Sequence, residues 1–259
     1  MSKSEIIKGI CLKVGPLGEN DRLITLLTEH SGITRLAAPG ARKPRSSLAA
    51  TNPLTLLELY IVGKKSLKKV RQIRVLKSFK NISKSLVRLA AAQAIAELSC
   101  IVIGDNENQN DFFKTAIIHL ERIDDTIDPL NEELLILAIS IQSLIHLLAL
   151  GGFNLPIYFC CKSNKPINPE LDNSSWRCTF IPSEGFCLDI DETYPINLTS
   201  SEAALMQRLF FPEMPIKSTG ELAGPKKVWI KLLKILEIWI KEQIGKELES
   251  LKMLKNLFI

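Results

Sequence analysis

The spacing of hydrophobic and polar residues changes near residue 80, and the two halves of the pattern predict different structures. Before that point, short runs rich in β-branched and aliphatic residues are separated by turn residues such as Gly15-Pro16-Leu17-Gly18 and His30-Ser31-Gly32. Such runs predict strands, which we place at residues 6–14, 22–28, 33–38, 54–62 and 68–79. Five short strands in so short a segment are typical of a small β-barrel or sandwich.

After Ser83 the apolar residues recur with the spacing of helices. The long apolar segment follows Asn131-Glu132-Glu133, where acidic side chains favour the positive end of a helix dipole. Helical spacing returns at Ser201 and dominates the chain from residue 226 to residue 254. The other predicted helices cover residues 86–103 and 111–122.

One stretch is apolar enough to raise the question of a membrane. Residues 134–161 contain no Asp, Glu, Lys or Arg, but Ser140, Gln142, Ser143 and His146 interrupt the stretch. Its helical part ends at Gly151-Gly152 after roughly 17 residues, the short limit for crossing a bilayer. We therefore predict a buried core helix and no membrane association.

Residues 153–198 break the helical pattern and predict a loop-rich insertion that holds four of the six cysteines. The spacing Cys160-Cys161-x16-Cys178-x8-Cys187 resembles a zinc ribbon only loosely, because a structural zinc site normally has two Cys-x2-Cys pairs. The positions three residues after Cys160 and Cys187 hold Ser163 and Ile190, which are not normal zinc ligands. We expect no bound metal or other cofactor, and reduced thiols in a cytoplasmic protein.

Charge separates the chain at the same place as the hydrophobic pattern. Residues 1–80 contain 16 Lys and Arg against 5 Asp and Glu, a net charge of 16 − 5 = +11. The whole chain has 33 − 28 = +5, so the remainder has 17 − 23 = −6. A basic, strand-rich part beside an acidic, helical part predicts a module that binds a polyanion, joined to a part that binds something else.

The basic residues form two clusters, one in a loop between Pro39 and Ser47 and one around the fifth strand. Lysine and arginine neutralise phosphates, and such binding weakens as salt rises. Only Tyr60 and Phe79 are aromatic in this part, so we expect contacts to the phosphate backbone with little base stacking. The alternative is a solvated surface that keeps the protein soluble. The candidate DNA-binding residues are Arg22, Arg35, Arg42, Lys43, Arg45, Lys64, Lys65, Lys68, Lys69, Arg71 and Arg74.

No catalytic constellation is apparent, so we predict a protein that is not an enzyme. The three histidines fall in unrelated elements, and there is no Gly-x-Gly-x-x-Gly motif. Two-metal nuclease chemistry needs several converging carboxylates, and the basic part offers few. Two alternatives remain open: an enzyme acting on nucleic acid, and a scaffold whose basic face binds an acidic protein tail.

Several short segments resemble the RecO family of bacterial DNA repair and recombination proteins. The segments cover most of the chain, and their order and spacing carry the resemblance. They are Gly18-Glu19-Asn20-Asp21-Arg22, Ala38-Pro39-Gly40-Ala41-Arg42-Lys43 with Ser46-Ser47, Leu57-Glu58-Leu59, Glu97-Leu98, and Ser250-Leu251-Lys252-Met253-Leu254.

The resemblance implies an α+β protein: an N-terminal five-stranded OB-fold-like β-barrel, followed by a mainly α-helical domain with a degenerate zinc-ribbon-like insertion. We place the DNA-binding domain at residues 1–80, the helical domain at 81–259 and the insertion at 153–198. Family members commonly have two Cys-x2-Cys pairs in the insertion, of which Cys160 and Cys187 keep the first positions. Here hydrophobic packing is expected to hold the insertion instead, around Phe159, Trp176, Phe180 and Phe186.

The resemblance also implies a function. Family members bind single- and double-stranded DNA and anneal complementary strands. They cooperate with RecR and the single-stranded DNA-binding protein, and help to load the RecA recombinase. The charge separation of this chain agrees with such a role.

Overall fold

The computed structural model describes residues 4–63, 67–104, 109–127 and 131–259. The chain forms two compact units, Met1–Asp125 and Thr126–Ile259. The strands are β1 Ser4–Leu17, β2 Asp21–Thr28, β3 Gly32–Ala38, β4 Thr55–Val62, β5 Lys68–Lys77, β6 Arg177–Ile181, β7 Gly185–Cys187 and β8 Asn197–Thr199. The helices are α1 Leu86–Val102, α2 Asn110–Asp125, α3 Glu132–Leu150, α4 Ser200–Arg208, α5 Lys226–Ile244 and α6 Glu249–Asn256.

The first five strands close into a barrel in the order β1-β2-β3-β5-β4. β1 is long enough to pair antiparallel with β2 along one half and with β4 along the other. A short parallel contact between β3 and β5, at Leu36–Lys68 and Ala37–Lys69, completes the circle. This arrangement confirms the predicted five-stranded, OB-fold-like barrel, and the helices that follow confirm the α+β class.

The barrel is filled by the inward-facing aliphatic side chains of all five strands, and two residues of the β3–β4 loop complete its core. Ala41 and Leu48 of that loop are buried among strand residues such as Ile24, Leu36 and Leu59. Burial of these two side chains in the core holds the loop against the barrel, because releasing them would expose apolar surface and leave a cavity.

Helices α1 and α2 belong to the same compact unit as the barrel and pack against β1 and β2 respectively. The Asp124 carboxylate accepts hydrogen bonds from the backbone N–H groups of Asn81 (2.7 Å) and Ile82 (3.1 Å). The buried Arg88 guanidinium donates to the carbonyls of Ile123 and Asp124. These bonds join the end of α2 to the segment that leaves the barrel. A domain boundary at residue 80 stays a prediction.

In the second unit, α3 is the core helix. Twelve of its nineteen residues are buried, and it packs against α5. Two of its polar side chains have carbonyl partners: Gln142 Nε2 donates to the Phe211 carbonyl at 2.8 Å, and His146 Nε2 lies 2.9 Å from the Leu209 carbonyl. By length and composition, α3 is the one helix in the described ranges that could cross a membrane. Its burial agrees with the prediction of a core helix.

The insertion has more regular structure than predicted, because β6, β7 and β8 form an antiparallel sheet in the order β7-β6-β8. Phe180 and Phe186 are buried with ring centroids 5.2 Å apart, as expected. The expectation for Phe159 is wrong: its ring is exposed, since its strand-like bridge to Pro166 turns it away from the core. Trp176 is half-buried. The likeness to a zinc ribbon stays a prediction.

The helical segment predicted over residues 226–254 is two helices. Gly245 ends α5 in the left-handed conformation, with φ of 73°, and its N–H donates to the Lys241 carbonyl. Glycine adopts this conformation without a steric penalty. α6 then begins at Glu249.

Two glycines of β1 provide a test of barrel packing. A Cβ on Gly9 would lie 2.9 Å from the Leu27 carbonyl oxygen, whereas a Cβ on Gly15 would meet nothing within 4 Å. We expect Gly9→Ala to lower the free energy of unfolding by about 1–3 kcal/mol. Gly15→Ala should change it by less than about 1 kcal/mol.

The measurement is chemical denaturation followed by far-UV circular dichroism, because all three tryptophans lie beyond residue 126 and their fluorescence does not report on the barrel. Equal effects of the two substitutions would contradict the close approach of β1 and β2 at Gly9.

Candidate nucleic-acid interface

The loop between β3 and β4 presents cations between two buried anchors. Ala41 and Leu48 are buried in the barrel core, and between them Arg42, Lys43 and Arg45 are exposed. The loop therefore arches outward between its two buried residues, with the basic residues on the exposed side of the arch.

The turn between β1 and β2 holds the first half of this loop. Asp21 Oδ1 accepts a hydrogen bond from the Gly40 N–H at 2.7 Å, and the Asn20 carbonyl accepts one from the Arg42 N–H at 2.9 Å. Arg42 Nη1 also donates to the Gly18 carbonyl at 3.0 Å. Two segments that are separate in sequence thus form one hydrogen-bonded unit.

Arg22 holds the second half of the loop. Its Nη1 lies 3.2 Å from the Ala49 carbonyl, 3.1 Å from the Thr51 carbonyl and 3.4 Å from Thr51 Oγ1. The side chain is half-buried, and these contacts use the hydrogens of Nη1. In this structure Arg22 positions the loop; direct contact of Arg22 with DNA stays a prediction.

Three residues of the loop adopt left-handed backbone conformations. Gly40 has φ of 68°, as expected for glycine, but Arg45 has φ of 59° and Leu54 has φ of 56°. For a residue with a Cβ this conformation costs about 1–2 kcal/mol, and the fastened ends of the loop supply the constraint that maintains it. Within the described ranges, neither Lys43 nor Arg45 has an acidic partner, so both cations can pair with an external anion.

The second basic cluster lies on β5. Lys69 and Arg71 are exposed and Val70 is buried, which confirms the alternation predicted for this strand. A bulge then interrupts the pairing with β4: Ile61 is opposite Val70, but Tyr60 is opposite Gln72. Arg71 is the additional residue, and it reverses the alternation beyond it.

The remaining predicted residues have varied surroundings. Lys68 forms an ion pair with Glu5, and Arg74 Nη1 lies 3.7 Å from Glu58 Oε1 with its side chain largely exposed. Arg35 is exposed on β3. Lys64 and Lys65 lie outside the described residues. Exposed ion pairs contribute little stability, so Arg74 can exchange its carboxylate partner for a phosphate at small cost.

Sequence reasoning missed two contributors to this surface. The sequence does not predict that Asp21 holds the loop, because an acidic residue is not expected to contribute to a basic surface. Its position beside Arg22, in the segment that resembles the family, is the signal that could have indicated a role. Tyr60 is one of two aromatic residues in the basic part, and the sequence alone gives no sign that it faces solvent. Phe79 is buried, but the Tyr60 side chain is 38% exposed on the outer face of β4.

Two of the four cysteines in the insertion, Cys160 and Cys187, lie close together as thiols. Cys160 Sγ lies 3.7 Å from Cys187 Sγ. Burial raises the pKa of Cys160, but hydrogen bonds from Ser163 and from backbone groups including the Leu188 N–H outweigh it and lower the pKa to about 7. Burial raises the pKa of Cys161 to about 11.

Among the residues that the structure describes, no group of three or more His, Cys, Asp or Glu could hold a metal ion. The Ser163 hydroxyl, three residues after Cys160, supplies a hydrogen bond to its sulfur. The expectation of no metal stays a prediction.

Two family models match this chain, one after the other along the sequence. The family described as "Recombination protein O N terminal" matches residues 1–79. The family described as "Recombination protein O C terminal" matches residues 83–252. Together they include the barrel with its basic loop, and the helical part with its insertion.

Curated relatives match over nearly their full length. DNA repair protein RecO of Prochlorococcus marinus (strain MIT 9303) is 45% identical, with 100% of this chain and 97% of the relative covered. DNA repair protein RecO of Parasynechococcus marenigrum is 46% identical, with 96% of this chain and 91% of the relative covered. DNA repair protein RecO of a Nostoc species is 27% identical, with 100% of this chain and 97% of the relative covered. By these matches and its barrel, the chain belongs to the RecO family of DNA repair proteins.

Proposed function

We propose that this protein is a non-catalytic mediator of DNA repair and homologous recombination that binds single- and double-stranded DNA through its barrel. The observation that carries the proposal is the braced β3–β4 loop, which presents Lys43 and Arg45 without acidic partners among the described residues. Its place in the RecO family supports a role in DNA repair.

The mechanism we propose is electrostatic. Cations on the loop and on β5 neutralise phosphates and release the counterions condensed on them. A surface that holds two strands in this way lowers their mutual repulsion, so complementary strands meet and anneal. Because the loop is fixed before DNA arrives, little conformational entropy is lost on binding.

We propose that the acidic, helical part serves protein partners. RecR and the single-stranded DNA-binding protein are the partners implied by the family resemblance, and recombinase loading is the step they would serve. A cytoplasmic location is part of the same proposal. All six cysteines are free thiols in the structure, which fits a reducing compartment.

The first test removes the two loop cations. Lys43→Ala combined with Arg45→Ala should weaken binding to a single-stranded oligonucleotide and slow the annealing of complementary strands. The plot of log K against log salt has a negative slope, and each lost phosphate contact makes that slope shallower by about 0.7. The slope of the double variant should therefore be about 1.4 closer to zero than that of the wild type. The measurement is fluorescence anisotropy across a salt series.

A matched control removes the same charge elsewhere. Lys227 and Lys234 are exposed on α5, and the double alanine variant at these positions should keep the wild-type slope. Equal losses in both double variants would mean that total charge, and not this loop, determines binding.

The second test separates positioning from charge. Asp21→Ala removes a negative charge from the basic surface, so electrostatics alone predicts tighter DNA binding. We expect weaker binding, by roughly 2- to 12-fold, because the hydrogen bond that holds Gly40 is lost.

Asp21→Asn keeps an oxygen acceptor for the Gly40 N–H and removes the charge, so it should bind DNA at least as tightly as the wild type. Tighter binding by Asp21→Ala would show that the loop needs no brace. The comparison uses the same anisotropy titration at one salt concentration.

A further inference from the structure

The outer face of β1, β4 and β5 carries two rows of cross-strand neighbours. Ile6, Tyr60 and Gln72 lie opposite one another in one row. The next row is Lys8, Glu58 and Arg74. Residues opposite one another in an antiparallel sheet point to the same face, so the Tyr60 ring lies in the middle of this surface.

A groove lies on this surface at the β5 bulge. Its volume is about 400 Å³, and Tyr60 lines it together with Ile6, Ser47, Glu58, Arg71 and Arg74. The groove thus adjoins the basic loop, since Ser47 is two residues beyond Arg45. Without the bulge, Arg71 and Arg74 would point to opposite faces of β5.

The groove has an apolar, aromatic centre with cations at its edges. Ile6 is 68% exposed and Tyr60 38% exposed, so an aliphatic side chain and an aromatic ring face solvent side by side. The Glu58 carboxylate lies beside the ring and repels phosphate. A neutral, planar group suits the centre, and anionic groups suit the Arg71 edge.

We propose that Tyr60 is a stacking platform for an unpaired nucleobase of single-stranded DNA, with Arg71 contacting the adjoining phosphate. This deepens the proposed function and rests on it. A base within a duplex is already stacked on both sides, so the platform accepts only bases that are free of pairing. Base–aromatic stacking tolerates any sequence, because every base has a π-face.

The test is a double-mutant cycle in which the Tyr60 side chain is removed from the protein and the bases are removed from the DNA. Wild-type protein and Tyr60→Ala are titrated with an oligonucleotide and with the same backbone lacking bases. On the base-containing strand, Tyr60→Ala should bind about 5- to 150-fold more weakly. On the abasic strand the two proteins should bind equally, since both keep the same cations.

Two controls accompany the cycle. Tyr60→Phe keeps the aromatic ring and should bind like the wild type. The salt slope of Tyr60→Ala should equal that of the wild type, because no charge is removed. Circular dichroism and thermal unfolding establish that the Tyr60→Ala barrel is folded.

The outcomes are distinct. Equal binding of the base-containing strand by wild type and Tyr60→Ala overturns the platform and leaves the proposed DNA-binding function standing. The same loss by Tyr60→Ala on both strands also overturns the platform, because the side chain then acts without a base. Wild-type protein that binds neither strand overturns both proposals.

Discussion

The hydrogen bonds that Asp21 and Arg22 make to the β3–β4 loop are the interactions on which the proposed interface depends. Asp21 holds the loop at Gly40, and Arg22 holds it at Ala49 and Thr51. A connection of this length, free to move, would lose roughly 1–2 kcal/mol of backbone entropy per residue when fixed by a ligand. In this protein much of that cost is met during folding, when Ala41 and Leu48 enter the barrel core.

This arrangement divides the basic residues by what they do. Arg22 and Arg42 donate hydrogen bonds to backbone carbonyls and thereby shape the loop. Lys43 and Arg45 extend from the shaped loop into solvent. A net charge of +11 for the first 80 residues counts all of these equally, but the geometry gives them different roles: some cations build the surface and others are available to bind.

Much of the barrel was predictable from the sequence because strands have a period of two residues and are separated by strong turn residues. The basic loop was predictable for the same reason, since Pro39, Gly40 and Pro44 exclude regular structure there. Even the division between α5 and α6 had a visible signal in Gly245, whose φ of 73° ends the helix.

The rest depends on contacts between distant residues, which no local pattern contains. The partners of Arg22 lie 27 and 29 residues away. The β5 bulge is a property of register with β4, so the position of Arg74 beside Tyr60 could not be read from alternation along β5. Phe159 was expected in a core because it is apolar, but its bridge to Pro166 directs it to solvent.

The central claim is that DNA binds to a loop that is already braced by the β1–β2 turn. Hydrogen–deuterium exchange of the full chain, with and without a single-stranded oligonucleotide, tests it most directly. We predict that the amides of Gly40 and Arg42 are protected before DNA is added, and that DNA slows exchange further across residues 39–54. Rapid exchange of both amides in the free protein, or a loop unaffected by saturating DNA, would contradict the account.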